Sequence, residues 1–203
     1  MQASKNPLPL LFHPVTRERW QDLETLFGPR GACSGCWCMW WRLKRKDFEH
    51  QAGEGNRLAL KAIVESGEIP GLLAYTTQSE PEGTPIPVGW CSIAPREAFP
   101  VLDRSPVLKR VDDQPVWSLV CFFIDKRYRG QNISQRLIEA GLEYASAHGA
   151  QIVEAYPVDP QGKVAQTVSI FTGTAATFAR LGFVEVARRS AKRPIVRYLL
   201  GKE

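Results

Sequence analysis

The stretch from Val116 to Ser134, VWSLVCFFIDKRYRGQNIS, constrains this chain more than any other. Val116 to Ile124 is rich in Val, Phe and Ile without polar alternation, the pattern of a central strand covered on both faces. Further on, Ile133, Leu137, Ile138, Gly141, Leu142 and Ala145 recur at three-and-four spacing and mark the buried stripe of a helix. Arg127, Arg129 and Gly130 stand between the two, so a basic, glycine-containing loop runs into a helix N-terminus. Such an end presents unpaired backbone N–H groups and partial positive charge, the physical requirements for holding a pyrophosphate.

This arrangement resembles the acyl-CoA loop of the GCN5-related N-acetyltransferases (GNAT), written Arg/Gln-x-x-Gly-x-Gly/Ala after the fourth strand. Arg129-Gly130-Gln131-Asn132-Ile133-Ser134 takes that place, with Asn132 at the central glycine and Ser134 at the second small residue. Asn tolerates a left-handed backbone better than other non-glycine residues, and Ser is small, so the loop geometry survives both changes. The downstream parts follow in family order. Gln151 to Tyr156 is the fifth strand, Phe171 to Leu181 a helix ending at Gly182-Phe183, and Phe183 to Arg189 with Ile195 to Leu200 the last hairpin. The resemblance spans Leu10 to Leu200. It implies an α/β (α+β), GNAT-like acyl-CoA N-acyltransferase fold: a mostly antiparallel mixed sheet, splayed between strands 4 and 5, with helices on both faces.

At 203 residues the chain is long enough for one core, so residues 1–203 are expected to form a single domain. Within it, about 28–70 is the expected acceptor-side region and about 116–189 the acyl-CoA-binding core. No apolar run of ~18 residues and no secretion signal is present, which points to a cytoplasmic protein without a membrane partner. Five cysteines, an odd number, fit reduced thiols. The net charge of +5 is spread over small groups and accompanies no recognisable nucleic-acid module, so no nucleic-acid partner is expected.

Ahead of the central strand, Leu10 to His13 reads as a strand. Thr16 reads as the cap of a helix whose face is Trp20, Leu23, Leu26 and Phe27, stopped by Gly28-Pro29. A second helix, about Asn56 to Ser66, uses Leu58, Ala62 and Ile63. Gly71 to Thr76 and Val88 to Ala94 are strands flanking a turn-rich stretch, Gln78 to Pro87, and Pro95 opens a long connection to the central strand. Between the first two helices lies the oddest segment, with Cys33, Cys36, Cys38, Trp37, Trp40, Trp41 and Arg42. Three readings stay open for it: buried structural packing, a wall of the acceptor site, or a Cys₃His zinc site with His50. Crowded ligand spacing argues against zinc, and no metal is expected. As a wall, Trp37, Trp40, Trp41 and Arg42 would suit an acceptor with an apolar or cationic part and a carboxylate.

The resemblance implies an acetyl-CoA co-substrate lying between strands 4 and 5. Its pantetheine arm would pair with Phe122, Phe123 and Ile124, and its pyrophosphate would rest on the amides of Arg129 to Ser134, with charge from Arg127 and Arg129. The N–H of Ile124 would stabilise the developing oxyanion. The family often places a tyrosine four residues before the glycine of the Gly-Phe pair, and here that residue is Phe178. Tyr156 is the candidate acid in its stead, and Glu97, Glu154 and Asp159 are candidate bases. Cys91 and Cys121 fall on buried strands with no histidine base in view. The implied function is CoA-dependent N-acetyl transfer, an acyltransferase reaction in which a small-molecule amine or protein amino group attacks acetyl-CoA directly in a ternary complex. The protein would act as a monomer or homodimer. A non-catalytic acyl-CoA-binding or protein-interaction domain of the same fold is the alternative, and a zinc-stabilised nucleic-acid-binding domain a third.

Overall fold

In a computed structural model that describes residues 7–77, 83–160 and 171–201, seven strands form one sheet in the order β1-β2-β3-β4-β5-β7-β6. The strands are β1 (Leu11–Pro14), β2 (Gly71–Thr76), β3 (Ile86–Pro95), β4 (Trp117–Ile124), β5 (Ile152–Ala155), β6 (Val184–Arg188) and β7 (Pro194–Leu199). Every neighbouring pair is antiparallel except β4 and β5, which run parallel. The mixed, mostly antiparallel α/β architecture is thus the one the sequence implies. Ile86 and Pro87, expected in the turn-rich stretch, belong to β3, and the part of that stretch at 78–82 lies outside the described residues.

The apolar runs bury both faces of the sheet, and each face has its own core. On one, α1 (Trp20–Phe27) contributes Trp20, Leu23, Leu26 and Phe27, all buried as their spacing predicts. Burying a Leu or Phe side chain contributes about 1.5–3 kcal/mol, so this stripe alone anchors the helix. Thr16 precedes a 3₁₀ turn at Arg17–Arg19 and makes no capping bond, so α1 starts later than expected. The same face carries α3 (Glu54–Glu65) and α4 (Pro100–Arg104). The expected stripe on α3 is corrected: Leu58 is 51% exposed, and Asn56, Leu60 and Val64 face inward. Asn56 fixes that rotation, because its side-chain amide donates to the Gly35 and Phe48 carbonyls. Another short helix, α2 (Arg45–His50), has no apolar stripe, and the sequence shows it only as a charged helical stretch around His50 without bounds; Phe48 ties it inward, against Trp40.

On the opposite face α5 (Ile133–Ala147) lies over the sheet through Ile133, Leu137, Ile138, Gly141, Leu142 and Ala145. The last helix, α6 (Ala175–Arg180), is shorter than predicted and buries Phe178 against Phe122 and Phe183. Among the described residues, no helix is long and apolar enough to cross a membrane.

Candidate acyl-CoA and acceptor site

The site begins where β4 and β5 part. Their pairing covers Trp117 to Leu119 opposite Val153 to Ala155 and then stops. At that point the register of β4 against β3 slips, with Cys121 opposite Ser92 but Leu119 opposite Ile93, so Val120 is the extra residue of a bulge. A bulge bends its strand, which accounts for the parting here. Beyond it, the Asp125 N–H donates to Val88 on β3 at 3.0 Å, which sets the parity of the ladder. Residues 121, 123 and 125 therefore turn their peptide groups to β3. Phe122 and Ile124 turn theirs to the opposite, open side, an edge shaped to pair with an extended arm. The Val120 carbonyl on that side accepts from the Trp41 indole at 3.1 Å, and the Ile124 carbonyl from Arg129 Nε at 3.3 Å.

The open edge leads straight to the loop. Gly130 (φ 79°) and Asn132 (φ 57°) are both left-handed, and Asn132 is the N-cap of α5. Here the substitution of Asn for the expected glycine keeps the backbone it needs. Gln131 and Asn132 are exposed at the entry to α5, on the surface where an anion cradle belongs. Ile133 is buried and plugs the first turn onto the sheet, where Gly89 of β3 makes room: a Cβ on Gly89 would lie 2.9 Å from Ile133 Cγ2. Ser134 is half-buried behind it and Arg129 is exposed. Arg127 closes its fork on Asp125 (2.7 Å), which ties the loop to itself.

On the closed side of the bulge lies a polar cluster that the sequence only hinted at. Glu154 is fully buried between Ser118 on β4 and Arg197 on β7, its register partners. Its carboxylate accepts from Arg96 Nη1 (2.6 Å), Tyr156 Oη (2.7 Å) and Arg197 Nε (2.8 Å). Tyr156 Oη also meets Ser118 Oγ at 2.8 Å and Arg96 Nη1 at 2.7 Å. Burial, then the neighbouring Glu154 charge, push the Tyr156 hydroxyl well above the usual tyrosine range. Arg96 and Arg197 extend the network to Asp103 and Asp112 at the surface. Sequence reading named Glu154 and Tyr156, and alternation did place them on one face. It missed Arg96, Ser118 and Arg197, although Arg197 interrupts an apolar strand just as Glu154 does and carried the same signal.

Glu97 lies elsewhere, exposed in the 3₁₀ turn Arg96–Ala98 after β3, and is paired with Arg110 at 2.7 Å. That hydrogen bond holds its carboxyl below the ordinary range. Asp159 is bonded to Arg188 at 2.8 Å on the surface.

The Cys and Trp segment crosses the same face of the sheet. Ala32, Ser34, Trp37 and Cys38 all have positive φ, an uncommon concentration of strained backbone. Trp37 packs in the core against Trp20 and Phe27, while Trp40 meets Phe48 edge to face and lies under Arg45. Trp41 reaches the mouth of the split, its ring 6.3 Å from that of Phe171. Cys38 Sγ touches Cys121 Sγ at 3.2 Å and accepts from the Trp90 indole at 3.0 Å, while Cys36 points to the Gly31 carbonyl. Hydrogen bonding to Cys121 raises the Cys38 thiol, and hydrogen bonding to Cys38 raises that of Cys36, which leaves neither as a thiolate nucleophile. Cys33 is exposed and joins no cluster with them; among the described residues no group of three or more His, Cys, Asp or Glu is arranged to hold a metal ion. A hollow of about 650 Å³ beside α1, lined by Gln21, Glu24, Trp37, Gly53 and Arg57 among others, includes no residue of β4, β5 or the loop.

Comparison with known proteins agrees with this geometry. No curated protein matches the chain. Among solved structures, a GNAT-family acetyltransferase from Listeria monocytogenes superposes with a TM-score of 0.58 at 10% identity, over 95% of this chain and 96% of that one. NAA60 of Arabidopsis thaliana, in complex with acetyl-CoA, gives 0.51 at 14% identity over 95% and 100%. The PaiA N-acetyltransferase of Thermoplasma acidophilum, in complex with coenzyme A, gives 0.51 at 11% over 95% and 99%. At such identities these likenesses speak to the fold. The sequence itself matches the family model described as acetyltransferase (GNAT) family over residues 37–168, a span from the Trp-rich segment past β5, and the chain therefore belongs to the GNAT family.

Proposed function

We propose that this protein transfers an acetyl group from acetyl-CoA to an amine by direct attack within a ternary complex. The observation that carries the proposal is the continuity of the open β4 edge with the left-handed loop and the α5 N-terminus. The pyrophosphate would rest on the amides of Arg129 to Ser134, with Arg129 adding charge. From there the pantetheine arm would run back along β4 and pair with the outward peptide groups of Phe122 and Ile124, with Phe123 alongside. That two structural neighbours hold acetyl-CoA or CoA supports this reading.

The direction of the arm bears on the oxyanion. The thioester lies at the end of pantetheine farthest from the pyrophosphate, hence nearer the bulge than the loop. We therefore assign the oxyanion donor to the Phe122 N–H, one outward position closer to the bulge than the Ile124 expected from sequence. The amine nitrogen forms the C–N bond, the C–S bond breaks, and the CoA thiolate leaves. The ammonium proton must go to a base and the thiolate must gain one. Among the expected candidates, Glu97 is the carboxylate most exposed to solvent, at 65% against 29% for Asp159, and we give it the relay of the amine proton through water. Glu154 and Tyr156 are positioning residues in our reading, because Glu154 already receives two guanidinium groups and the Tyr156 hydroxyl is enclosed. Trp41 and Arg42 face the acceptor, with Trp40 and Trp37 behind them.

Calorimetric titration with acetyl-CoA, followed by free-thiol release across a panel of amines, tests the proposal. Saturable binding that requires the pantetheine arm, with amine-dependent release, is expected. Binding without release from any amine would favour the non-catalytic acyl-CoA-binding domain.

A further inference from the structure

Among the described residues, the buried guanidinium groups have hydrogen-bond partners on every nitrogen shut off from solvent except in one case. Arg96 ends on Asp103 and Glu154, Arg197 on Glu154 and Asp112, and Arg193 on the Tyr156 carbonyl and Thr172 Oγ1. Arg42 is different. Its Nη1 makes a long contact of 3.4 Å to the Ala98 carbonyl, and its plane lies 4.5 Å from the centre of the Phe99 ring. Nε and Nη2 are shut off from solvent and, among the described residues, meet no partner. Burial pulls the guanidinium down to about 10. Glu68 acts on it through its charge without hydrogen-bonding to this edge, and buried N–H groups left without an acceptor are among the most costly features a fold can keep.

The vacant pair of donors is specific. Nε and Nη2 form one edge of the guanidinium, with two parallel N–H groups that match the two oxygens of a carboxylate. This chain uses that edge in the same way elsewhere: Arg57 on Glu54, Arg188 on Glu185 and Arg127 on Asp125. Position adds the rest. Trp41, the preceding residue, caps the Val120 carbonyl where β4 parts from β5, and Phe99 follows the turn that carries Glu97.

We propose that the Nε–Nη2 edge of Arg42 receives the carboxylate of the acetyl acceptor, so that the substrate is an amine bearing a carboxylate a few bonds from its nucleophilic nitrogen, as in an amino acid. This inference rests on the acetyl-transfer reading of the same site. Phe99, buried against the guanidinium, makes the surroundings of this edge apolar, which suits an amino acid with an apolar side chain.

Matched acceptors that differ only in the carboxylate test it: phenylalanine against phenethylamine, and leucine against isoamylamine, each with acetyl-CoA and read by thiol release. The products, N-acetylphenylalanine and N-acetylphenethylamine, are titrated in parallel into the CoA-loaded protein as a readout that needs no turnover. The acids should be preferred and their products bound more tightly. Arg42→Gln should lower kcat/KM for the acid about 10- to 100-fold, chiefly through KM. It should lower use of the amine without a carboxylate by a much smaller factor and leave the acetyl-CoA affinity in place, with a melting temperature no lower than before. Arg42→Lys should restore only part, because it keeps the charge and loses the fork. Equal use and equal binding of both members of each pair would overturn the inference while acetyl transfer stands. So would an Arg42→Gln variant that fails to fold or loses both acceptors alike. Failure of the wild-type protein to bind acetyl-CoA would remove the donor site, and this inference with it.

Discussion

The two ends of β4 are built from the same kind of sequence and do opposite things. At the Trp117 end the strand is paired on both sides, and Ser118 joins Tyr156, Glu154, Arg96 and Arg197 in a closed polar network. At the Ile124 end one side is open, and the Ile124 carbonyl takes the Arg129 guanidinium where a strand would otherwise lie. One extra residue, Val120, separates them. The contrast teaches that the opening is a feature held by its neighbour: charge pairing locks β5 below the bulge, and the bulge bends β4 away above it. Stability and binding can therefore be perturbed separately, one at each end.

The largest effect is expected at the closed end. Glu154→Ala leaves the Arg96 and Arg197 groups facing a buried void and should cost about 3–5 kcal/mol in urea unfolding. A loss below about 1 kcal/mol would mean that the network does not hold the strands, and would break the comparison at its root. Next comes the strained segment that lies across β4. In Gly31→Ala the new Cβ would stand 2.1 Å from Trp37 Nε1, on a residue with φ 58°. We expect about 1–3 kcal/mol of destabilisation and an altered tryptophan emission spectrum, with acetyl-CoA affinity retained.

At the open end the effect moves from stability to binding. Arg129→Glu should weaken CoA about 10-fold or more in calorimetry while leaving the unfolding midpoint in place. Asn132→Gly should bind as well as the wild type, since glycine accepts the left-handed geometry at that position, whereas Asn132→Val should bind less well. Equal binding by all three variants would remove the loop from the site.

The smallest effect is in the pH profile. Hydrogen bonding to Arg197 lowers the Asp112 carboxyl below the ordinary 3.8. A group whose folded value is depressed adds stability that is fully present above its unfolded value and is lost as pH falls through the folded one. Asp112→Asn should therefore flatten the acid limb of a stability profile below about pH 4. An unchanged limb would confine the network to its buried members.

How much of this was legible beforehand depends on the range of the interaction. β2 was read to the residue, and α5 to its stripe, because apolar periodicity is a local signal that burial then enforces. The loop was legible for the same reason: positive φ at Asn132 follows from what a single residue tolerates. The bounds of α2 were not, since no apolar stripe marks them. The rotation of α3 was misread because the Asn56 amide, bonded to carbonyls 21 and 8 residues away, outweighs the exposed Leu58.

The sequence by itself determined the order of strands and helices, the basic loop at the start of α5 and hence the family resemblance, since each depends on neighbours along the chain. Only the tertiary structure decided which buried charges have partners. Arg42, Arg96 and Arg197 look alike in the sequence, yet Arg96 finds Glu154 58 residues away and Arg197 finds it at 43, while among the described residues Nε and Nη2 of Arg42 hydrogen-bond to no carboxylate. Pairing in a low-dielectric interior is set by distances of a few ångströms between segments far apart in the chain, and a linear sequence does not carry those distances.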